Sequence, residues 1–221
     1  MVTENHPLKP FLPAEARVLM LGSFPPARSR WCMDFFYPNF INDMWRIFGI
    51  VFFNDKDHFV DREAAVFRKD GIVAFLEEKG VALYDTAEVV IRKNNTAADK
   101  DLEVVKPTDI KALLRRIPQC TTVVTTGQKA TDVLTAAFGI VQPKVGCYAP
   151  FVFEGRDMRL YRMPSSSRAY PMKVEKKAEA YGRMFREIFG SRDAIYRVSK
   201  ELRSFLGVKK LRREEFKELR S

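Results

Sequence analysis

A chain of 221 residues, 46% of them hydrophobic, is long enough to bury one hydrophobic core but short for two full domains. No apolar run approaches the roughly 20 residues that a transmembrane helix needs, and the opening residues MVTENHPLKP lack the charged-then-apolar pattern of a secretory signal. These features argue against a membrane-spanning or secreted protein and favour a globular, cytoplasmic one.

The net charge of +10 is distributed unevenly along the chain. Residues 191–221 contain ten Lys and Arg against five Asp and Glu, so this tail carries +5 of the total. A basic protein in a cytosol rich in polyanions suggests a nucleic-acid partner, and a simple solubility feature is the alternative. If the source is bacterial, we expect association with the nucleoid.

The cysteines argue against a disulfide framework and against a metal centre. Cys32, Cys120 and Cys147 lie far apart, and no C-x-x-C pair occurs. This spacing is typical of reduced thiols and does not match a zinc or iron–sulfur ligand set. We therefore expect no metal and no cofactor.

The first half of the chain predicts two strands and two helices. Residues 17–22, RVLMLG, form a short apolar run closed by glycine, which indicates a buried strand with GSFPP as its exit loop. A helix opens at 43–48, and the pattern of 62–80 is helical. Residues 81–84, VALY, form the second strand.

The second half continues the alternation of strands and helices, and it ends in a basic tail. Its predicted elements are a long polar loop at 92–107, a helix between Thr108 as N-cap and Pro118, a strand at 121–127, a helix at 128–139, a strand at 158–162, a helix at 173–190, and two basic amphipathic helices within 191–221.

Strands that alternate with helices indicate βαβ units and therefore a largely parallel sheet. We predict an α/β fold, a three-layer α/β/α sandwich around a four-stranded, largely parallel sheet, with residues 1–190 as one domain and 191–221 as a basic helical extension. Ligands of such folds bind outside the carboxyl ends of the strands. Four unusual loops, at 23–26, 85–88, 126–129 and 164–168, converge at that edge.

The stretch after the first strand combines rings with amides. A packed core needs aromatic side chains but no amides beside them, whereas a pocket for a flat polar ring needs both. A simple aromatic core is the alternative, and Trp45 and Phe48, at helical spacing, fit it best. The side chains concerned are Trp31, Phe35, Phe36, Tyr37, Phe40 and Trp45, with Asn39 and Asn42.

Two further loops have side chains or backbone that suit a nucleic-acid ligand. The loop from Gly22 to Pro26 lacks the G-x-G-x-x-G and G-K-[ST] signatures, so it is no phosphate loop, and its prolines either fix backbone amides towards a ligand or simply turn the chain. The run from Pro164 to Arg168 offers three hydroxyl donors and an arginine to a DNA phosphate, and a serine N-cap is the alternative. Lys129 opens a helix at the same edge and suits a phosphate too.

The order of these motifs resembles the uracil-DNA glycosylase superfamily. A strand ending in Gly-Ser-x-Pro precedes FFYPNFINDMW, and MPSSSRAY follows late in the chain. The nearest match is the branch of mismatch-specific and hypoxanthine-DNA glycosylases. The resemblance implies a monofunctional, metal-free repair enzyme of base excision, acting as a monomer. Such an enzyme flips uracil or hypoxanthine out of DNA and hydrolyses its N-glycosidic bond.

The resemblance also implies roles for individual residues. Gly22, Ser23, Phe24 and Pro25 would form the floor under a flipped base, and Tyr37 would stack on that base. Pro164, Ser165, Ser166, Ser167 and Arg168 match the loop that pinches the DNA backbone and wedges into the duplex.

The chain departs from the superfamily at positions that carry chemistry. Phe24 stands where most members place an Asp or Asn that holds the attacking water, and Met163 stands where many place a His. The two histidines, His6 and His58, fall outside the motifs.

These departures leave Asn42 as the water-holding residue. Asp43 is a true base and the second candidate, and helix N-capping is the alternative role for both residues. Two other functions stay open. One is a binding-only relative that recognises DNA or a modified base, and the other is an α/β enzyme that acts on free nucleotides or nucleosides.

Overall fold

A computed structural model describes residues 3–93 and 101–190. Along these residues the strands are β1 Thr3–Asn5, β2 Val18–Gly22, β3 Val60–Asp61, β4 Val66–Phe67, β5 Val81–Asp85, β6 Ala87–Arg92, β7 Leu102–Pro107, β8 Thr122–Thr126, β9 Cys147–Phe153 and β10 Arg156–Met163. The helices are α1 Met44–Phe53, α2 Lys69–Lys79, α3 Ile110–Arg116, α4 Gln128–Phe138 and α5 Val174–Phe189. The predicted extension at 191–221 lies outside the described residues.

The central sheet is mostly parallel, and helices flank it. Its strand order is β5-β2-β8-β10-β9, and the first four strands are parallel to one another. These four are the predicted strands, and their existence is confirmed. The predicted count of four is wrong, because β9 adds a fifth, antiparallel strand at the edge beside β10. β9 reads CYAPFVF, and Pro150 interrupts this otherwise apolar run, so the pattern alone does not indicate a strand. The proline is tolerated because an edge strand has one free side.

A small second sheet corrects the predicted loop at 92–107. Its order is β1-β6-β7, and all its pairs are antiparallel. β7 lies within the predicted loop, and its polar, mostly exposed sequence LEVVKP hides it from a search for apolar runs. β6 directly follows β5 in the chain, and β1 pairs with β6. This small sheet therefore brings the start of the chain to the carboxyl edge of the central sheet.

The predicted helix at 62–80 begins later than expected. Residues up to Phe67 form the β3–β4 hairpin, and α2 starts at Lys69. The Asp61 carboxylate accepts the backbone N–H groups of Glu63 and Ala64, and such local bonds compete with helix formation. The N-cap of α3 is Asp109, whose side chain accepts the N–H of Ala112, rather than the predicted Thr108. Helices α4 and α5 confirm their predictions.

The core lies between the central sheet and the helices that flank it, and all five helices contribute buried side chains to it. Trp45 and Phe48 are fully buried, which confirms the core alternative for these two rings. Phe48 packs edge-to-face against Phe185 of α5 at 5.3 Å between ring centroids. The three cysteines carry free thiols, as their spacing predicted. Among the described helices none has both the length and the apolar character that crossing a bilayer requires.

Candidate functional site

A cavity of about 720 Å³ opens at the carboxyl ends of the four parallel strands. The last residues of β2, β5, β8 and β10 all line it, and they are Gly22, Asp85, Thr126 and Met163. This volume is typical of small-molecule sites. All four loops that the sequence singled out contribute to its wall, so their predicted convergence is confirmed.

The Gly-Ser-Phe-Pro-Pro loop is held rigidly at the cavity wall. Arg92 of β6 donates to the carbonyl oxygen of Pro25 at 3.0 Å, and the Trp31 indole donates to that of Pro26 at 2.8 Å. Ser23, Phe24 and Pro25 line the cavity. A Cβ on Gly22 would lie 2.3 Å from Oδ1 of Asp85, so a larger residue at this position would displace that carboxylate.

The six aromatic side chains of the stretch 31–45 divide between core and cavity. Phe36 and Tyr37 line the cavity. Phe35 and Trp45 are buried in the core with stacked rings at 6.3 Å, and Phe40 packs against Phe67 at 5.5 Å. Trp31 lies under the guanidinium of Arg28. The aromatic side chains of this stretch therefore serve both the core and the cavity wall.

Tyr37 is the most constrained ring of the wall. Its φ angle is +50°, a left-handed conformation that non-glycine residues adopt rarely and mostly at functional sites. Its hydroxyl lies 3.2 Å from Oγ1 of Thr126, and its ring packs edge-to-face on Trp45 at 6.0 Å. Burial, with the negative charge of Asp85, raises the pKa of the Tyr37 hydroxyl far above its usual value. The ring is therefore neutral and fixed.

Asn42 lies on the cavity wall, in the last position of a turn that begins at Asn39. Its Oδ1 accepts the backbone N–H of Met44 at 2.9 Å, so the predicted capping role is partly real. Because an N–H group faces that atom, it must be the amide oxygen. The NH₂ group is consequently the part of the side chain left for a ligand, and Asn42 offers hydrogen-bond donors.

Asp43 lies beside the cavity in a buried ion cluster. Its two carboxylate oxygens accept from Nζ of Lys177 at 2.9 Å and from Nε of Arg168 at 3.2 Å. The Lys177 ammonium is wholly buried and also donates to the carbonyl oxygen of Ser167, while the backbone N–H of Asp43 donates to that of Ser166. Asp43 thus fastens the run Pro164–Arg168, the serine loop, to the starts of α1 and α5.

The run Pro164–Arg168 forms one side of the cavity mouth. Ser165 and Ser167 close local turns, because their hydroxyl oxygens accept backbone N–H groups two residues ahead at 3.2 Å. The Tyr181 hydroxyl donates to the carbonyl oxygen of Pro164 at 2.9 Å. Lys129 is turned to the carbonyl oxygen of Leu102, at 2.6 Å, and does not belong to the lining.

Sequence reasoning missed a buried hydrogen-bonded pair, His6 and Asp85, beneath the cavity. Nε2 of His6 lies 2.9 Å from Oδ2 of Asp85, and the two side chains are 2% and 10% exposed. Asp85 could have been found, because it directly follows an apolar strand at the converging edge. His6 gives no local signal, since only the pairing of β1 with β6 brings it there. Among the described residues that line the cavity, Asp85 is the one carboxylate.

Basic side chains stand around the mouth of the cavity. Arg30, Arg162 and Arg168 belong to its lining, and the side chain of Arg168 is 52% exposed. Within residues 3–93 and 101–190, no three His, Cys, Asp or Glu side chains gather in a way that would hold a metal ion. The arrangement is an aromatic slot with an acceptor at the floor, amide donors on the wall and cations at the rim.

Comparisons with known proteins support the fold. A scan against models of protein families finds no match, and neither does a search of curated proteins. Among solved structures, an NMR structure described as that of "a putative Uracil DNA glycosylase from Methanosarcina acetivorans" matches with a TM-score of 0.54 and 19% identity. The match covers 83% of this chain and 98% of that one. At this identity, the likeness is one of fold.

Proposed function

We propose that this protein is a monofunctional DNA glycosylase that flips uracil or hypoxanthine out of DNA and hydrolyses its N-glycosidic bond. The observation that carries the proposal is the cavity beyond the parallel strands, with aromatic walls and a single carboxylate at its floor. The fold likeness to the solved structure from M. acetivorans supports it. The motif resemblance is what supports the hypoxanthine and mismatch-specific branch in this proposal.

Stacking on the cavity walls would offset the energy of extruding a base. Each base–aromatic contact contributes roughly 1–3 kcal/mol, and extrusion costs a few kcal/mol. Phe36 and Tyr37 line the cavity, and Tyr37 is already fixed by its hydroxyl and by Trp45. A fixed ring loses little entropy when a base stacks on it, so Tyr37 favours the flipped state.

The polar groups suit the edge of a deaminated base. Deamination turns the ring nitrogen of cytosine or adenine, a hydrogen-bond acceptor, into an N–H donor beside a carbonyl group. The Asp85 carboxylate only accepts, so it matches the new N–H and repels the original lone pair. The NH₂ group of Asn42 is a donor and matches a carbonyl oxygen or a negative charge on the base.

Bond cleavage would use Asn42 for orientation. A water forms a bond to the anomeric carbon of the oxocarbenium-like sugar, and the electrons of the broken C–N bond leave with the base. The proton that the water loses neutralises the base anion. Asn42 would hold that water or stabilise the departing base through its NH₂ group. Asp43, whose oxygens both serve Lys177 and Arg168, would contribute by positioning the serine loop.

DNA would be bound by the rim and by the basic tail. Pro164, Ser165, Ser166, Ser167 and Arg168, with Lys129, are the proposed contacts to the phosphate backbone. Residues 191–221, with their +5 charge, would add sequence-blind affinity. If so, removing 191–221 weakens binding to an undamaged duplex and flattens its dependence on salt.

The test is base release from duplexes that contain one uracil or one hypoxanthine, read out as alkali-sensitive abasic sites. We expect Asn42→Ala to abolish release while DNA affinity stays nearly intact, and Asp43→Asn to do less. Gln119→Ala is the matched control, since this exposed amide precedes β8 at the opposite edge of the sheet.

Full activity of Asn42→Ala would refute the residue assignment. Retention of the damaged duplex without abasic sites would identify a binding-only relative instead. Cleavage of free nucleosides but not of DNA would point to a nucleoside enzyme.

A further inference from the structure

His6 reaches the cavity floor from the start of the chain. It directly follows β1, and its ring packs against Tyr84 at 4.6 Å and edge-to-face against Phe24 at 5.3 Å. Its Nε2 lies 2.9 Å from Oδ2 of Asp85, the carboxylate of the cavity wall. Removing one partner of a buried pair leaves the other buried without a hydrogen bond, which costs free energy of folding. The start of the chain is therefore physically coupled to the cavity.

The second ring nitrogen of His6 has a backbone partner in either charge state. Nδ1 lies 3.2 Å from the N–H nitrogen of Leu8 and 2.9 Å from its carbonyl oxygen. A neutral ring accepts from the N–H through Nδ1, and a protonated ring donates to the carbonyl oxygen through the same atom. In both states Nε2–H donates to Asp85. The ring can therefore gain or lose a proton without losing a hydrogen bond.

The charge of the cavity floor consequently depends on His6. Burial raises the pKa of Tyr84 to about 12, so that neighbouring phenol stays neutral. Asp85 alone gives the floor a negative charge, and a protonated His6 cancels it. The titratable and charged groups around His6 are Asp85 and Tyr84 on β5, Glu88 and Arg92 on β6, Lys106 on β7 and Glu4 on β1.

We propose that His6 is a positioning residue that holds Asp85 as the acceptor of the cavity floor and, when protonated, cancels its charge so that the base leaves more easily as an anion. This inference rests on the proposed function. An unbalanced carboxylate beside the departing base opposes the charge that develops there, and a protonated imidazole behind it removes that opposition. Because Asp85 receives the same hydrogen bond in both states, the rate of base release changes more than substrate affinity.

The experiment compares pH profiles of base release for the wild type, His6→Gln and His58→Gln. Glutamine keeps an N–H donor for Asp85 but does not titrate. His58, the other histidine of the chain, stacks on Phe53 and is not part of the cavity lining, so it provides the matched control.

We expect the wild-type kcat to rise on acidification, on the order of tenfold for one nearby charge at the effective dielectric of a partly buried site. KM should change little. His6→Gln should lose this rise, and His58→Gln should keep it. A rise that persists in His6→Gln overturns the inference.

A second measurement is independent of activity. NMR titration of the histidine ring protons gives one curve for each residue, and His58→Gln assigns them. Asp85→Asn should change the titration curve of His6, because Nε2 of the ring loses its carboxylate partner, and should leave that of His58 in place. An unmoved His6 curve refutes the coupling itself, whereas a wild-type protein that releases no base refutes the proposed function.

Discussion

Replacing Lys177 by Met tests the ion cluster that fastens the serine loop. The Lys177 ammonium is fully buried and donates to Asp43 at 2.9 Å and to the carbonyl oxygen of Ser167 at 2.8 Å. Methionine fills a similar volume, so the main effect is a buried Asp43 left with the half-exposed Arg168. Breaking such a pair by removing one partner costs about 3–5 kcal/mol.

The assay is urea unfolding, with thermal unfolding as a second readout. For a chain of this size, 1 kcal/mol changes Tm by about 2–4 °C, so we expect a decrease of about 6–20 °C. Arg168→Met should cost at most about 1 kcal/mol, because that ion pair is partly exposed to solvent. The double variant Lys177→Met with Asp43→Asn should lose less than the sum of the single variants. A free energy of unfolding for Lys177→Met within about 1 kcal/mol of the wild type, on the scale of an exposed pair, would refute the reasoning.

Two further predictions follow from close contacts and from burial. Gly22→Ala places a methyl group 2.3 Å from Oδ1 of Asp85, so it should displace the carboxylate and reduce base release with little change in Tm. Gly71→Ala is the control, because its methyl group meets only a ring carbon at 4.0 Å; it should keep full activity and add up to about 1 kcal/mol of stability. Equal activity of Gly22→Ala and Gly71→Ala would contradict the role of Asp85. Burial raises the pKa of Tyr84 and of Tyr161 to about 12, so the folded state keeps these protons while the unfolded chain loses them near pH 10. This stabilisation is complete below about pH 10 and is lost as the pH rises through about 12. Ultraviolet titration should therefore detect ionisation of these two phenols only together with unfolding. Reversible ionisation of Tyr84 or Tyr161 near pH 10 in the folded protein would contradict this prediction.

The parallel strands β2, β5 and β8 were predictable because each is a run of apolar or β-branched residues closed by a turn signal. RVLMLG before the proline loop and TTVVTTG before a helix are both buried on two faces, as parallel strands require. β9 escaped the same reasoning because Pro150 interrupts its apolar run, and β7 because its mostly exposed sequence mixes polar and apolar residues. Pairing with a neighbour defines both strands. Local patterns therefore gave the centre of the sheet and not its margins.

The cavity wall was predictable for a similar reason. Ser23, Tyr37, Asn42 and the serine loop are close to strand ends, so the rule for parallel sheets brings them together. The place of His6 was not predictable, because this residue lies 79 positions from Asp85 in the chain and is brought to it by a short, largely exposed strand. The role of Asp43 also depends on packing, since Lys177 reaches it from a helix 134 positions away.

The most direct test of the central claim is chromatographic detection of the free base after the purified protein is incubated with duplexes that differ in one base. We expect free uracil or free hypoxanthine in amounts equal to the abasic sites formed, and none from the matched undamaged duplex or with Asn42→Ala. A folded wild-type protein that releases neither base would contradict the account, as would one that releases undamaged bases equally well.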